Sequence, residues 1–290
     1  MRANCLNILG MNLIQLSQSL VKLGDEFLEV HGPQVFHEKA FELLTKHKLH
    51  EFYDFENLVE TSLKQDFNPS QNYGQFQFSD LPITLARGEH CFLDLYFWRR
   101  RPTVIHDHHF TGAFQCLKGV NVDFEFEYFK KQDLDSFHDM GELKLKQVRH
   151  LREGDVAAID LLDKFIHQNH HQDDLTVNLC FRTPDIGNKN LSNYLYSGLR
   201  FEKDPVLLNR INRLIAFAGM GNFDQSKLEL TLDDAIYFLI STYRSEFQNS
   251  RLNSLKKLMD EKVKNQTGLD INALLNQHEL SMDQLENDYN

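Results

Sequence analysis

The chain has 290 residues, 41% of them hydrophobic and 25% charged, and a formal net charge of −11. That length buries one good core with room for a second, smaller one. The acidic balance leaves no basic stripe to neutralise phosphates, which argues against nucleic acid or an anionic membrane as partner.

Four cysteines, Cys5, Cys91, Cys116 and Cys180, make no CxxC pair, so neither a zinc knuckle nor a disulfide scaffold is expected. Reduced thiols in a cytoplasm fit best. The opening MRANCLNILGMNLIQLSQSL is interrupted by Asn, Gln and Ser and has no small-residue cleavage site, so no signal peptide is expected. Met1 and Met11 are equally open as the start. No window approaches the roughly 20 apolar residues of a membrane span.

Residues 11–66 carry helical spacing, with Leu13, Leu16, Leu20, Val21 and Leu23, then Phe41, Leu43 and Leu44, then Leu58, Val59 and Leu63. Gly32-Pro33 separates the first helix from the next. Residues 67–81 read as a loop. From Pro82 the pattern turns to strands: Ile83 and Leu85, an Arg87-Gly88 turn, then Phe92 to Trp98. The cluster Arg99-Arg100-Arg101 reads as a solvated strand end. Val122, Phe124 and Phe126 alternate with Asp123, Glu125 and Glu127, as in a half-buried strand. Residues 130–142 read as a polar connection, and Leu143 to Val148, Val156 to Asp160 and Leu175 to Phe181 as further strands. Many short strands predict a sandwich or barrel. From Asp185 the helical period returns, with Asp204-Pro205 as a start and Thr231 to Asp234 as a capping arrangement. Residues 249–290 read as two weaker helices and a frayed acidic end. The expected organisation is a helical segment over 1–80 packing on a barrel over 81–186, then a helical region with a polar tail over 187–290.

Six of the fourteen histidines fall in two windows: His106, His108 and His109, then His167, His170 and His171. Alternate side chains of a strand share a face, so His106 and His108 point the same way and can chelate one ion. A third histidine from a neighbouring strand would close a facial set with positions left open, the mark of a reactive site. His167 is the first choice, with His170 or His171 as substitute. His109 falls on the opposite face, at the surface, and Asp107 reads as a turn or outer hydrogen-bond partner. Cys116 and Cys180 read as buried, inert thiols, and Trp98, Tyr128 and the phenylalanines as core.

Ile105 to Gly119 (IHDHHFTGAFQCLKG), then LREGDVAAID, IHQNHH and LTVNLCFRTP, resemble the cupin superfamily, and within it the cysteine dioxygenase-like thiol dioxygenases, over about residues 80–184. The resemblance implies a mixed α+β fold: a small β-barrel, the double-stranded β-helix, with helices before and after it. It implies that His106, His108 and His167 bind iron(II), with zinc, manganese or nickel as alternative ions. The residues that would be a fourth, carboxylate ligand in many cupins are Gly112 and Ala113, as in bacterial thiol dioxygenases. The family's crosslinking cysteine is absent there. Its tyrosine falls at about Phe181, its Ser and His partners fall at Val177, Asn178 and Leu179, and the Asn after the third ligand is His171. Arg87, Gln115 and Asn178 are the candidates to hold substrate, and Asp160, Asp163, Asn178, Gln115 and His171 to orient the ligands. No catalytic side chain is assigned.

The function this implies is oxidation of a small polar molecule, with a thiol as one option, by O2. The rivals are a non-catalytic metal- or ligand-binding cupin whose helical region docks a partner, and a non-redox metal-dependent cupin enzyme. The C-terminal helices could equally serve as a homodimer contact or a lid.

Overall fold

The computed structural model describes residues 12–64, 79–99, 101–186, 191–202, 204–220, 228–243 and 250–289. Cys5, both candidate start residues and most of the 67–81 loop lie outside them. The chain forms two compact units, residues 1–126 with 145–189, and residues 127–144 with 190–290.

The first unit opens with α1 (Leu13–His31), α2 (Phe36–His47) and α3 (Phe55–Ser62). Asn12 starts α1 through a reciprocal pair: its side chain accepts from Gln15 N–H, and the Gln15 side chain accepts from Asn12 N–H. Gly32 ends it at φ +71°, a conformation that costs glycine little. Strands follow: β1 (Leu81–Arg87), β2 (Phe92–Trp98), β3 (Arg101–Pro102), β4 (Ile105–His108), β5 (Gly112–Lys118), β6 (Asn121–Asp133), β7 (His138–Leu151), β8 (Val156–Ile159), β9 (Leu162–His171) and β10 (Thr176–Arg182).

One antiparallel sheet runs β1-β2-β10-β5-β8. In the other, β9 pairs with β3 and β4 and also with β6. Together they make a closed antiparallel barrel, and the chain carries helices at both ends, as the sequence predicts.

The period of two decides what each face meets. In β2 and β10, Leu93, Leu95, Phe97, Val177, Leu179 and Phe181 turn to the helices and pack in one core with Leu16, Leu20, Phe36 and Leu44. Their neighbours Tyr96, Trp98, Asn178 and Cys180 turn to the barrel interior, where they line a cavity. Asp25 ties α1 to the β1–β2 turn: its carboxylate accepts from the N–H groups of Glu89, His90 and Cys91 at 2.8, 2.9 and 3.1 Å.

The second unit contains the outer ends of β6 and β7, β11 (Ser192–Tyr194), β12 (Leu199–Glu202), α4 (Pro205–Met220), α5 (Leu232–Thr242), α6 (Ser250–Thr267) and α7 (Ile271–Tyr289). Its core joins Leu199 and Phe201 to Ile211, Phe238, Leu255, Met259 and Ile271. Asp204 caps α4 by accepting from Leu207 N–H at 2.7 Å, and Thr231 with Asp234 forms a capping box on α5.

Four expectations are corrected. The stretch 130–142 is a strand hairpin, β6 into β7; the end of β6 from Phe129 to Asp133 is exposed on both faces, whereas His138 and Asp139, which open β7, are polar but buried. The half-buried strand at 122–128 is buried on both faces through Phe126, since Asp123 and Glu125 are also inaccessible. Residues after Asp185 do not go straight to helix, because β11 and β12 come first. The expected frayed end is helical to Tyr289.

Candidate metal centre

His106 and His167 face each other directly across β4 and β9; after a register shift His108, on the same face of β4, stands opposite Leu162. The Nε2 atoms of His108 and His167 stand 2.9 Å apart. The ring centres of His106 lie 4.7 and 4.8 Å from those of His108 and His167. One nitrogen from each of the three lies within 4.8 Å of the others, and all three side chains are buried.

Outer hydrogen bonds set the tautomers. His106 Nδ1 donates to Val104 O at 2.8 Å, and His167 Nδ1 donates to Asp123 Oδ1 at 2.7 Å. Each leaves its Nε2 with a lone pair. Two nitrogens bound about 2.1 Å from one ion at right angles lie roughly 3.0 Å apart, so the 2.9 Å spacing suits two ligands of one metal. Burial, then the neighbouring His106 and His167, hold the His108 pKa well below the ordinary histidine value, which keeps it neutral and ligand-competent. Three buried imidazoles with no carboxylate in the group, among the described residues, fit a divalent transition ion.

Asp123 reaches His167 diagonally, since Glu125 is the residue opposite His167 and Asp123 the one opposite Asn169. Burial works against its charge, but His167 and Arg149 more than offset this and hold its carboxyl below the usual range.

The cavity beside the histidines measures about 60 Å³. Tyr96, Trp98, Phe110, Phe114, Ile159 and Cys180 make most of its wall, and Thr103, Asn169 and Asn178 are the other polar residues. Behind the wall Asp94 accepts from Thr84 Oγ1 at 2.7 Å, Tyr96 OH at 3.0 Å and Arg182 Nη2 at 3.4 Å. The Arg182 guanidinium is stacked between Phe92 and Phe110, at 4.3 and 4.5 Å.

The other site candidates separate by strand parity. Asn178 lines the cavity and is steadied by Asn121, whose Nδ2 donates to Asn178 Oδ1 at 3.0 Å. His171 stacks on Trp98 at 4.6 Å, its Nδ1 2.6 Å from Asn121 Oδ1. Gln115 shares a parity with Ala113 and Leu117, so it turns to the helices and donates to Leu44 O and Gly154 O rather than facing the cavity. Arg87 ends β1 in solvent against Phe92. Asp163 is exposed, and Asp160 pairs with His37 and Lys164 instead of a ligand. His109 is buried rather than at the surface, because residues 183–186 lie along it and Ile186 N–H donates to its carbonyl.

Nothing in the sequence marks Asp123, Asn169 or the aromatic wall as site residues. In a strand of alternating polarity Asp123 reads as a solvent-facing acid. A second His-carboxylate group, Asp135, His138 and Asp233, lies in the other unit. Asp135 Oδ1 there accepts from Phe137 N–H, His138 N–H and His138 Nδ1, the pattern of a turn cap.

No protein-family model matches the chain, and no curated protein matches its sequence. Solved structures do match. A cupin-2 domain protein from Shewanella frigidimarina is 12% identical over 46% of this chain and 94% of its own, with a TM-score of 0.28. A sugar phosphate isomerase of the cupin superfamily from Silicibacter pomeroyi is 16% identical over 40% and 70%, with a TM-score of 0.26. A hydroquinone 1,2-dioxygenase from a Sphingomonas species is 8% identical over 37% and 66%, with a TM-score of 0.28. The closed antiparallel barrel stands on the chain's own strand pairings. At these identities nothing of the neighbours' chemistry carries over. Among the described residues no helix is long and apolar enough to cross a membrane.

Proposed function

We propose that this chain is a metal-dependent cupin oxygenase that uses O2 to oxidise a small molecule, with iron(II) held by His106, His108 and His167. One observation carries the reading: three buried imidazoles converge beside a cavity, and no carboxylate joins them among the described residues. Iron(II) bound there supplies the redox chemistry with O2 that no side chain can. The protein's share is geometric. Val104 and Asp123 hold two rings in one tautomer, burial keeps His108 neutral, and the aromatic wall restricts water. A thiol, as a soft donor, suits such a centre. The partners on this reading are the substrate and O2, with no role for nucleic acid, and the setting is cytoplasmic.

The test is the metal content of freshly purified protein beside a His106→Ala/His108→Ala variant, followed by O2 uptake with a panel of small thiols. Near-stoichiometric iron that the variant loses, with uptake, supports the reading. Zinc or manganese with turnover in the absence of air would make it a non-redox enzyme. No metal in either protein, even after iron(II) is added without air, overturns it.

A further inference from the structure

The cavity wall restricts what could bind beside the metal position. At about 60 Å³ it is well short of the roughly 150 Å³ that encloses a benzene ring, so it suits a molecule of a few heavy atoms. Among the described residues that line it there is no Lys, Arg, Asp or Glu. The nearby Arg182 spends its charge on Asp94 and Asp185. A charged tail held against this wall would therefore gain no counter-charge from it.

Asn169 adds a direction. Its backbone is locked, with its N–H donating to Thr103 Oγ1 at 3.0 Å and its carbonyl accepting from Thr103 N–H at 2.8 Å. Asn169 lines the cavity and is 7% exposed as a residue; its Oδ1 is itself inaccessible and accepts no hydrogen bond among the described residues. A buried acceptor without a donor is costly. The terminal amide torsion is soft, and rotation about it is what would turn Oδ1 to a ligand. An acceptor at that place repels a carboxylate and welcomes a hydroxyl or amide N–H.

We propose that Asn169 determines specificity, and that the cavity takes a small thiol whose tail is an uncharged hydrogen-bond donor. This rests on the metal reading above, since the thiol needs the three-histidine centre as its anchor. It points away from amino-acid thiols, whose carboxylate meets an acceptor and whose ammonium, although Oδ1 can accept from it, finds no counter-charge among the described lining residues.

The test uses the zinc-loaded full chain, which is redox-silent. Trp98 is the only tryptophan, and it lines the cavity, so its emission reports occupancy directly. The probes are 2-mercaptoethanol, ethanethiol, cysteamine and mercaptoacetate, which share a thiol and differ in the tail. The expected result is saturable change with 2-mercaptoethanol at an affinity about tenfold or more above each of the other three. Asn169→Leu should cancel its advantage over ethanethiol while zinc stays bound. The wild-type comparison stands even if that variant misfolds. Equal binding of all four, tighter binding of a charged one, or no thiol binding by zinc-loaded protein overturns the proposal and leaves the metal reading intact. Failure of the wild type to hold zinc overturns both.

Discussion

His167 Nδ1 and Asp123 Oδ1 are joined by a 2.7 Å hydrogen bond, and Arg149 grips the other carboxylate oxygen, with Nε at 3.1 Å and Nη2 at 2.5 Å. The charge that orients the imidazole is thus itself held. Asp123→Asn keeps the shape and removes the charge. Metal affinity is expected to fall about 10–100-fold, read by competition with a chromophoric chelator. Unchanged affinity in a folded variant would show that His167 needs no such support.

Asp94 and Arg182 form a buried ion pair, side chains 3% and 8% exposed. Breaking one partner leaves an uncompensated charge. Arg182→Leu is expected to cost about 3–5 kcal/mol in urea unfolding, and adding Asp94→Asn should restore part of it. A double variant no more stable than the single one would place the loss in packing of the guanidinium between Phe92 and Phe110.

Asp25 offers a cleaner stability test, since it lies away from the cavity. Asp25→Ala strands three backbone N–H groups, and a loss of about 1–3 kcal/mol is expected. Asp25→Asn keeps an acceptor and should lose less. Equal losses would mean that charge, not hydrogen bonding, fixes the turn to α1.

His170 sets an acid limit. Burial pushes its pKa down from 6.5 to about 4. Its folded value lies below its unfolded one, so between these values the unfolded chain binds the proton and the folded chain does not. Stability is therefore full above about pH 6.5 and declines as pH falls towards 4, by on the order of 3 kcal/mol at most. His170→Leu should reduce the fall in Tm between pH 7 and pH 4.5. An identical fall in both proteins would assign the acid sensitivity to other groups.

The sequence was most legible where one face of an element is apolar. The α1 stripe and the Phe92–Trp98 run announced themselves, and His106 and His108 needed only strand periodicity to share a face. What failed had polar groups indoors. Leu162–His171 carries no apolar strand pattern, because its inward residues are His167, Asn169 and His171. Asp123 follows the alternation of β6, yet nothing local says that the partner strand buries its side. Gln115 suits a substrate site by residue type, and only the strand's parity sends it to the helices.

The path of β6 and β7 has a practical outcome. Residues 127–144 belong with residues 190–290, and β7 pairs with β12 through His138 with Phe201 and Met140 with Leu199. A recombinant fragment stopped near residue 186 would keep β7 and lose β12. Its exposed strand edge would invite aggregation. The two units are interleaved in the gene, so neither can be cloned, swapped or lost through a single breakpoint.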